Sequence, residues 1–365
     1  MRLKPIIGRL DRYIITKFLG TYFFSIAIII SIAVVFDIQE KIEDFIENQA
    51  PMSEIVFEYY MNFIPYFANL FSSLFVFVAV IFFTSKMAFN SEIIAIQASG
   101  ISFNRFLRPY FVAATIIALF SLLLIMYIIP EANKVRLDFE NKYVRGVFVN
   151  RDRDIHRQVR PGLFVYLESY NSRADIGYRF AMEHVENGKL KSKMLADYIK
   201  WDADIEKWAA HNYYIRRYDG ANESLEKGTR IDTLIHLLPD DFRRRVIEVE
   251  RMNINELNEF IDQQKLQGAE NIEFYLIQKY QRWAYPFSTF ILTIMGVSIA
   301  NRKRRGGIGV NIGIGLLLSF TYILFMQVST TFSINSDVPP MVSVWIPNIL
   351  YAVLCLFIYR RAARY

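Results

Sequence analysis

The chain has 365 residues, of which 53% are hydrophobic, 16% aromatic and 21% charged. The apolar residues fall into long runs without Asp, Glu, Lys, Arg or His, and this pattern excludes an ordinary soluble protein. The net charge of +6 would suit nucleic acid, but the bases cluster in particular loops between the runs, as expected from membrane topology.

Six apolar runs are long enough to cross a bilayer, whose core of roughly 30 Å needs about 20 helical residues. They cover residues 18–36, 61–84, 110–129, 284–300, 308–328 and 344–359. An acidic stretch, rather than a small-residue cleavage site, follows the first run, so we expect an uncleaved anchor.

The distribution of Lys and Arg predicts the orientation, because short loops rich in these residues stay in the cytoplasm. Segment 37–60 has Lys41 as its only base against seven acids, so we place it outside. The loops 85–109 and 301–307 are basic and belong inside. Both termini are then cytoplasmic, and the long segment 130–283 lies on the outer side.

The acidic segment 37–48 can form an amphipathic helix, with a solvated cap as the alternative interpretation. Its apolar face would consist of Ile38, Ile42, Phe45 and Ile46.

The loop 85–109 contains a short predicted helix. Asn90 or Ser91 can cap it, Glu92 in the first turn meets the positive end of the helix dipole, and Gly100 can end it. Such a helix beneath the membrane suits docking into a groove of a cytoplasmic partner, while a helix lying in the lipid interface fits the pattern equally well.

The outer segment has the size of a domain. A helix over 131–143 should continue the third span into solvent. Runs rich in β-branched and aromatic residues then predict strands over 163–170, 178–185, 193–201, 208–218 and 230–237. An antiparallel meander, sandwich or jelly roll follows.

Two helices are expected at the end of this segment. Asn253 or Asn255 can cap the first, which runs through Lys265 and stops at Gly268. The second begins at about residue 272 and leads into the fourth span.

A series of glycines marks the start of the fifth span: Gly306, Gly307, Gly309, Gly313 and Gly315. Gly309 and Gly313 form a G-x-x-x-G pair, which permits close helix approach. Gly296 and Ala300 repeat this spacing in the fourth span. The pair can pack within the chain, or it can belong to a moving or dimerising helix.

Motifs for catalysis are missing from the sequence: there is no phosphate-binding G-x-x-x-x-G-K-[ST] loop, no H-E-x-x-H, no C-x-x-C and no G-x-S-x-G. We therefore expect no enzyme activity.

The single cysteine, Cys355, excludes an intrachain disulfide. Four histidines (His156, His184, His211 and His236) lie on predicted strands and favour ordinary strand positions over a metal site. The charge-free spans argue against an ion-coupled carrier.

Three stretches, together with the layout of three spans, an outer β domain and three spans, resemble the LptF/LptG lipopolysaccharide-export permeases. They are the Leu-Asp-Arg-Tyr-Ile start at 10–14, the loop 90–102 and the Ile-Pro-Glu-Ala-Asn exit of the third span at 129–133. The start favours the LptG branch.

The resemblance implies a subunit that binds no cofactor itself and pairs with a second LptF/LptG-type permease on an LptB-like ATPase dimer, which uses ATP and Mg. Lipopolysaccharide would be drawn from the inner membrane and passed to LptC/LptA-like proteins of a periplasmic bridge. The outer domain would be a jelly roll that feeds this bridge.

The resemblance also implies roles for individual residues. Glu92 would anchor a coupling helix to the ATPase, and Ile93, Ala95, Ile96 and Gly100 would shape the surface of that helix. The first and fifth spans would form a lateral gate that contains Gly309, Gly313 and Gly315. Family members carry bases near the outer end of the first span; here 26–36 has none. Lys41 is thus the candidate contact for a lipid phosphate, unless the partner subunit supplies it.

We therefore predict a polytopic α-helical membrane protein with an inserted, jelly-roll-like all-β domain. Its parts are the first three spans (1–129), the periplasmic β domain with flanking helices (130–271) and the last three spans (272–365). The alternative from another functional class is a non-transporting membrane adaptor whose periplasmic β domain binds a partner.

Overall fold

A computed structural model describes residues 8–144, 153–219, 222–233, 235, 237–239, 242, 246–266, 268, 272–303, 307–336 and 338–364. The chain divides into two compact units, with the divisions after Val144 and before Glu273. The first unit is helical and contains both ends of the chain, and the second contains the sheet. The helix predicted over 131–143 falls in the helical unit.

The first half of the helical unit is an almost unbroken series of helices. They are α1 (Arg9–Glu47), α2 (Met52–Glu54), a π-helix (Ile55–Tyr60), α3 (Met61–Leu70), α4 (Ser72–Phe89), α5 (Glu92–Ala98), α6 (Phe103–Leu123), a second π-helix (Leu124–Ile128) and α7 (Ile129–Tyr143).

The acidic segment 37–60 is mostly helical rather than a loop, because α1 continues into it as far as Glu47 and further helices begin at Met52. The expected apolar face is only partly correct. Phe45 is buried, but Ile38, Ile42 and Ile46 are exposed. The polar pair Asp37 and Lys41 shares the inward side with Phe45, where it meets tyrosines from the next helix.

The second unit contains six antiparallel strands in the order β1-β2-β3-β4-β5-β6. They are β1 (Arg153–Arg160), β2 (Leu163–Asn171), β3 (Ile176–Glu186), β4 (Lys189–Asp202), β5 (Lys207–Asp219) and β6 (Asn222–Thr233). The predicted all-β domain is confirmed. Each strand pairs with its neighbour in sequence, so the connectivity of the described strands is that of a meander, without the crossovers of a jelly roll.

One face of this sheet carries the core of the unit. Leu163, Val165 and Leu167 alternate with more exposed residues along β2, as the two-residue period of a strand requires. Trp208 on β5 is buried against Phe242, and its indole N–H donates to the carbonyl of Leu237 at 2.7 Å. The hydrogen bond satisfies the one polar group of this large side chain.

A 3₁₀-helix (Val246–Arg251) and α8 (Ile254–Leu266) follow the sheet. The predicted cap of α8 is present as a capping box: Asn253 Oδ1 accepts from the N–H groups of Asn255 and Glu256, and Glu256 Oε2 accepts from the N–H of Asn253. Gly268, at φ +65°, lies just past the end of the helix, as predicted.

The helical unit resumes with α9 (Ile272–Ala300), α10 (Gly307–Asn335) and α11 (Pro340–Ala363). Six helical segments in the described chain are long and apolar enough to cross a membrane, and they contain or overlap the six predicted runs. The second run is interrupted at Phe71, between α3 and α4. The predicted fold class is therefore confirmed.

Candidate functional site

The short helix α5 lies between α4 and α6, and a residue with positive φ stands near each end. Ser91, immediately before α5, has φ +63°, and Gly100, just after it, has φ +84°. The Gly100 N–H donates to the carbonyl of Gln97 at 3.0 Å. The predicted cap is absent, since Ser91 makes no side-chain hydrogen bond to the helix and Asn90 donates to the Glu92 side chain instead.

The two faces of α5 have different environments. Ile93 is 1% exposed and packs in a core cluster with Ile14 and Phe18 of α1, and Ile96 packs partly buried against the same cluster. Ile94 is 60% exposed. Ile93 thus anchors α5 to the rest of the helical unit. The exposed surface of α5 consists of Ile94, Ala95, Gln97 and Ala98.

Two polar contacts hold the start of α1 against this region. The Tyr13 hydroxyl donates to Glu92 Oε2 at 3.1 Å. The guanidinium of Arg105, in the first turn of α6, donates to both carboxylate oxygens of Asp11, at 2.6 and 2.7 Å. Asp11 is only 6% exposed and also accepts from the Gly8 N–H. A bidentate Arg–carboxylate pair fixes both distance and orientation, so α1, α5 and α6 form one linked assembly.

The glycines of α10 lie on two different sides of the helix. A Cβ on Gly315 would lie 2.5 Å from Ile81 Cδ1, so this glycine lets α10 approach α4 closely. Asn311 strengthens the same contact by donating to Ser85 at 2.9 Å. Gly309 and Gly313, in contrast, have no described atom within 4 Å of an added Cβ. The described residues therefore leave the G-x-x-x-G pair uncovered.

The first and fifth spans are the least packed of the six. Only 17% of the apolar stretch of α1 and 22% of that of α10 are buried inside the chain, against 67% for α4 and for α9. The exposed residues of both helices are mainly apolar, including Phe24 and Phe36 on α1 and Leu317 and Leu324 on α10. Such surfaces suit lipid or a second membrane helix.

A family model described as "Lipopolysaccharide export system permease LptF/LptG" matches residues 12–361, nearly the whole chain. The chain belongs to the LptF/LptG family. It is thus a transport permease rather than an enzyme, and its six apolar helices are those of a multi-pass inner-membrane protein. The family model covers both branches, so the LptG assignment stays a prediction. A search of curated proteins found no match.

In this LptF/LptG permease, Lys41 lies near the C-terminal end of α1 and already has partners. Its ammonium group pairs with Asp37 at 2.7 Å and donates to the Tyr59 hydroxyl. Tyr59 and Tyr60 donate to the Asp37 carboxylate, and burial together with this charge raises the pKa of both tyrosines. A lipid phosphate at Lys41 would have to compete with Asp37.

The permease also contains a buried ion pair that the apolar pattern does not reveal. Arg136 and Glu140, one turn apart on α7, are bonded at 2.8 Å with side chains that are 7% and 2% exposed. Asn133 accepts from Arg136 Nε at 3.2 Å, and the guanidinium lies 5.0 Å from the centre of the Tyr66 ring. Buried charges in a membrane protein are costly and are kept only where they have such partners.

The histidines do not come together among the described residues. His156 contacts the ring of Tyr166 at 4.8 Å on β1 and β2, and His211 stacks on Tyr198 at 4.6 Å on β5 and β4. His184 lies on β3, and His236 lies outside the described residues, as does Gly306. The metal-site alternative gains no support from these positions.

Gly296 on α9, which the sequence singled out together with Ala300, packs against other helices of the chain. An added Cβ there would lie 2.9 Å from Val80 and 3.0 Å from Phe77, both on α4. Together with Gly315, it gives α4 a small residue on each of two neighbouring helices. Gly296 and Gly315 therefore permit close packing of helices within the chain, whereas an added Cβ on Gly309 or Gly313 would contact no other described helix.

Proposed function

We propose that this permease is one subunit of an ATP-driven lipopolysaccharide exporter, and that α5 is the element on which the ATPase acts. The observation that carries the proposal is the hydrogen bond between Tyr13 of α1 and Glu92 of α5, beside the Asp11–Arg105 pair that ties α1 to α6. A displacement of α5 would be transmitted directly to the first span. The outward residues Ile94, Ala95, Gln97 and Ala98 would form the docking surface.

The arrangement of the basic loops supports a cytoplasmic position for α5. Arg105 at the start of α6 contacts the start of α1, and Lys303, after α9, lies 4.8 Å from the centre of the Phe89 ring at the end of α4. The Tyr359 hydroxyl donates to Asn104 at 2.5 Å, which brings the basic end of α11 to the same side. By the positive-inside rule this side faces the cytoplasm, and the β domain is periplasmic.

The proposed cycle assigns the chemistry to a separate ATPase. An LptB-like dimer that binds ATP and Mg would close, move α5 and pull on α1 through the Tyr13–Glu92 contact, while the Asp11–Arg105 pair keeps α6 with α1. Lipopolysaccharide would leave the cavity between two LptF/LptG-type subunits, cross the β domain and reach an LptC/LptA-like bridge. Within this chain, the residues only bind, position and transmit movement.

The weak packing of α1 and α10 supports their proposed role as the lateral gate. A gate must separate and close without unfolding, so its helices should be held loosely by their own chain. Gly309 and Gly313 offer an open G-x-x-x-G face on α10 on which a helix of the second permease subunit can pack. Gly315 would instead hold α10 to α4.

Copurification tests this assignment. The full-length permease is expressed in its membrane with an affinity tag, and the proteins that copurify are examined for an ATPase with a phosphate-binding loop. Wild type should retain such an ATPase, and Glu92→Ala should lose it or lose ATP-stimulated lipid release while still binding lipid. A non-transporting adaptor would retain no ATPase, and that result would contradict the proposal.

A further inference from the structure

A pocket of about 720 Å³ lies within the helical unit between α6, α9 and α11. Its volume falls in the range of roughly 300–1,000 Å³ that is typical of small-molecule sites. The walls are mainly apolar and include Leu107, Phe111, Phe290, Ile294 and Leu356. None of these residues belongs to α1, α5 or α10, so the pocket is separate from the proposed coupling and gate elements.

The pocket has one cation on its wall that forms no direct ion pair in the described part of the chain, although its charge also acts at a distance on Asp11. Arg108 lies on its wall, is exposed, and forms no ion pair or hydrogen bond among the described residues. Arg105, nearly one turn earlier on α6, is by contrast fully engaged by Asp11. An exposed guanidinium with no directly bonded acid, beside an apolar cavity, is complementary to an amphiphile with an anionic head.

A second polar group lines the same pocket without a partner. Thr293 on α9 is 1% exposed, and its hydroxyl has no hydrogen-bond partner in the described part of the chain. Ser298 on the same helix donates to the carbonyl four residues earlier, Ile294, at 2.7 Å, which is the usual arrangement for a helical hydroxyl. The Thr293 hydroxyl is therefore available to an oxygen of a bound molecule, such as a lipid ester.

The position of the pocket also fits a lipid. It is lined by the first half of α6 and the last part of α11, and Tyr359 bonded to Asn104 joins the start of α6 to the end of α11. Arg360 and Arg361 follow directly and are exposed. In the proposed orientation these bases lie at the cytoplasmic surface, where anionic lipid headgroups gather around Lys and Arg.

We propose that this pocket binds an acyl chain of one anionic glycerophospholipid from the cytoplasmic leaflet, with its headgroup phosphate on Arg108. The inference rests on the membrane orientation and not on export, since the exported lipid would enter from the opposite leaflet. The bound lipid is a resident molecule that fills the gap between α6, α9 and α11.

Native mass spectrometry of the purified full chain tests the proposal, with dioleoylphosphatidylglycerol and dioleoylphosphatidylethanolamine as probes. Wild type should retain one phosphatidylglycerol and bind it about fivefold more tightly than phosphatidylethanolamine. Arg108→Gln should abolish this preference. Arg12→Gln, which removes an exposed arginine from α1, should keep the preference for phosphatidylglycerol. Ala352→Trp, which fills the pocket, should lose the bound lipid of either type.

Three results would overturn the proposal. The first is equal binding of the two lipids by wild type, or an unchanged preference in Arg108→Gln. The second is full retention of lipid by a folded Ala352→Trp variant. The third is displacement of phosphatidylglycerol by an equal concentration of lipopolysaccharide, because the pocket would then belong to the transport route. If Ala352→Trp does not fold, Arg108→Gln decides, since its exposed side chain takes no part in core packing.

Discussion

The Tyr13 hydroxyl on α1 donates to Glu92 Oε2 on α5, so the first span and the candidate docking helix are directly connected. Seventy-nine positions separate the two residues in sequence. The ring of Tyr13 also packs edge-on against Phe83 of α4, with centroids 6.1 Å apart. The hydroxyl can therefore be removed without removing the packing of the ring.

Tyr13→Phe should weaken the coupling between the ATPase and the gate while preserving assembly. The ring contact with Phe83 remains, but the hydrogen bond to the charged Glu92 is lost. Because this contact is exposed, we expect a loss of a few-fold, in keeping with about 1 kcal/mol. The measurement is lipid release per ATP hydrolysed in proteoliposomes. Tyr127→Phe, an exposed tyrosine in the second π-helix, is the matched control and should behave as wild type.

Arg105→Ala should destabilise the permease by about 1–3 kcal/mol, because Asp11 would keep its charge in a nearly buried position without its main partner. Thermal unfolding in detergent, followed by circular dichroism, measures the loss. Arg12→Ala removes an exposed arginine from the same region and should leave the midpoint unchanged. Equal midpoints for the two variants would show that the Asp11 pair contributes nothing.

Glu140→Gln should lower the free energy of unfolding by about 3–5 kcal/mol, the typical penalty for breaking a buried ion pair, since Arg136 would remain charged and buried. The same helix provides a control in the exposed pair Lys134–Glu131, for which Glu131→Gln should change stability by no more than about 1 kcal/mol. The two midpoints of thermal unfolding are compared directly. Similar shifts of the two midpoints would mean that burial does not determine how much these ion pairs contribute to stability.

Gly313→Leu and Gly315→Leu should affect different properties of α10. Leucine at 315 would overlap Ile81 and should destabilise the isolated chain by about 1–3 kcal/mol. Leucine at 313 meets open space in the chain, so folding should be unaffected while pairing with the second permease subunit weakens. Thermal unfolding reports the first effect, and copurification of the second subunit reports the other. Normal pairing of Gly313→Leu would place that face against lipid.

Hydropathy was sufficient to predict the six spans, because the bilayer demands long apolar runs whatever the neighbouring helices are. Strand β1 was missed. Its sequence, Arg-Asp-Ile-His-Arg-Gln-Val-Arg, carries apolar residues only at Ile155 and Val159, which face the core. At an edge, backbone pairing with β2 stabilises a strand that has almost no apolar pattern. Strand β6 began earlier than predicted, at Asn222, for the same reason.

The candidate site was only partly predictable from the sequence. The position of α5 followed from its turn residues and apolar spacing, but which isoleucine faces outward depends on the packing of Ile93 against α1. The pair Asp11–Arg105 joins residues 94 positions apart, and a single sequence does not reveal such contacts. One signal was present: Asp11 is the only acid in the basic segment before the first span.

The central claim is that α5 couples ATP hydrolysis to lipid movement, and ATP-driven release of lipopolysaccharide from proteoliposomes tests it most directly. The reconstituted complex is compared with the same complex carrying Glu92→Ala, with Glu43→Ala, an exposed acid of α1, as the control. We predict that Glu92→Ala abolishes ATP-stimulated release while lipopolysaccharide binding persists, and that Glu43→Ala releases as wild type does. Unchanged assembly and release with Glu92→Ala would contradict the account.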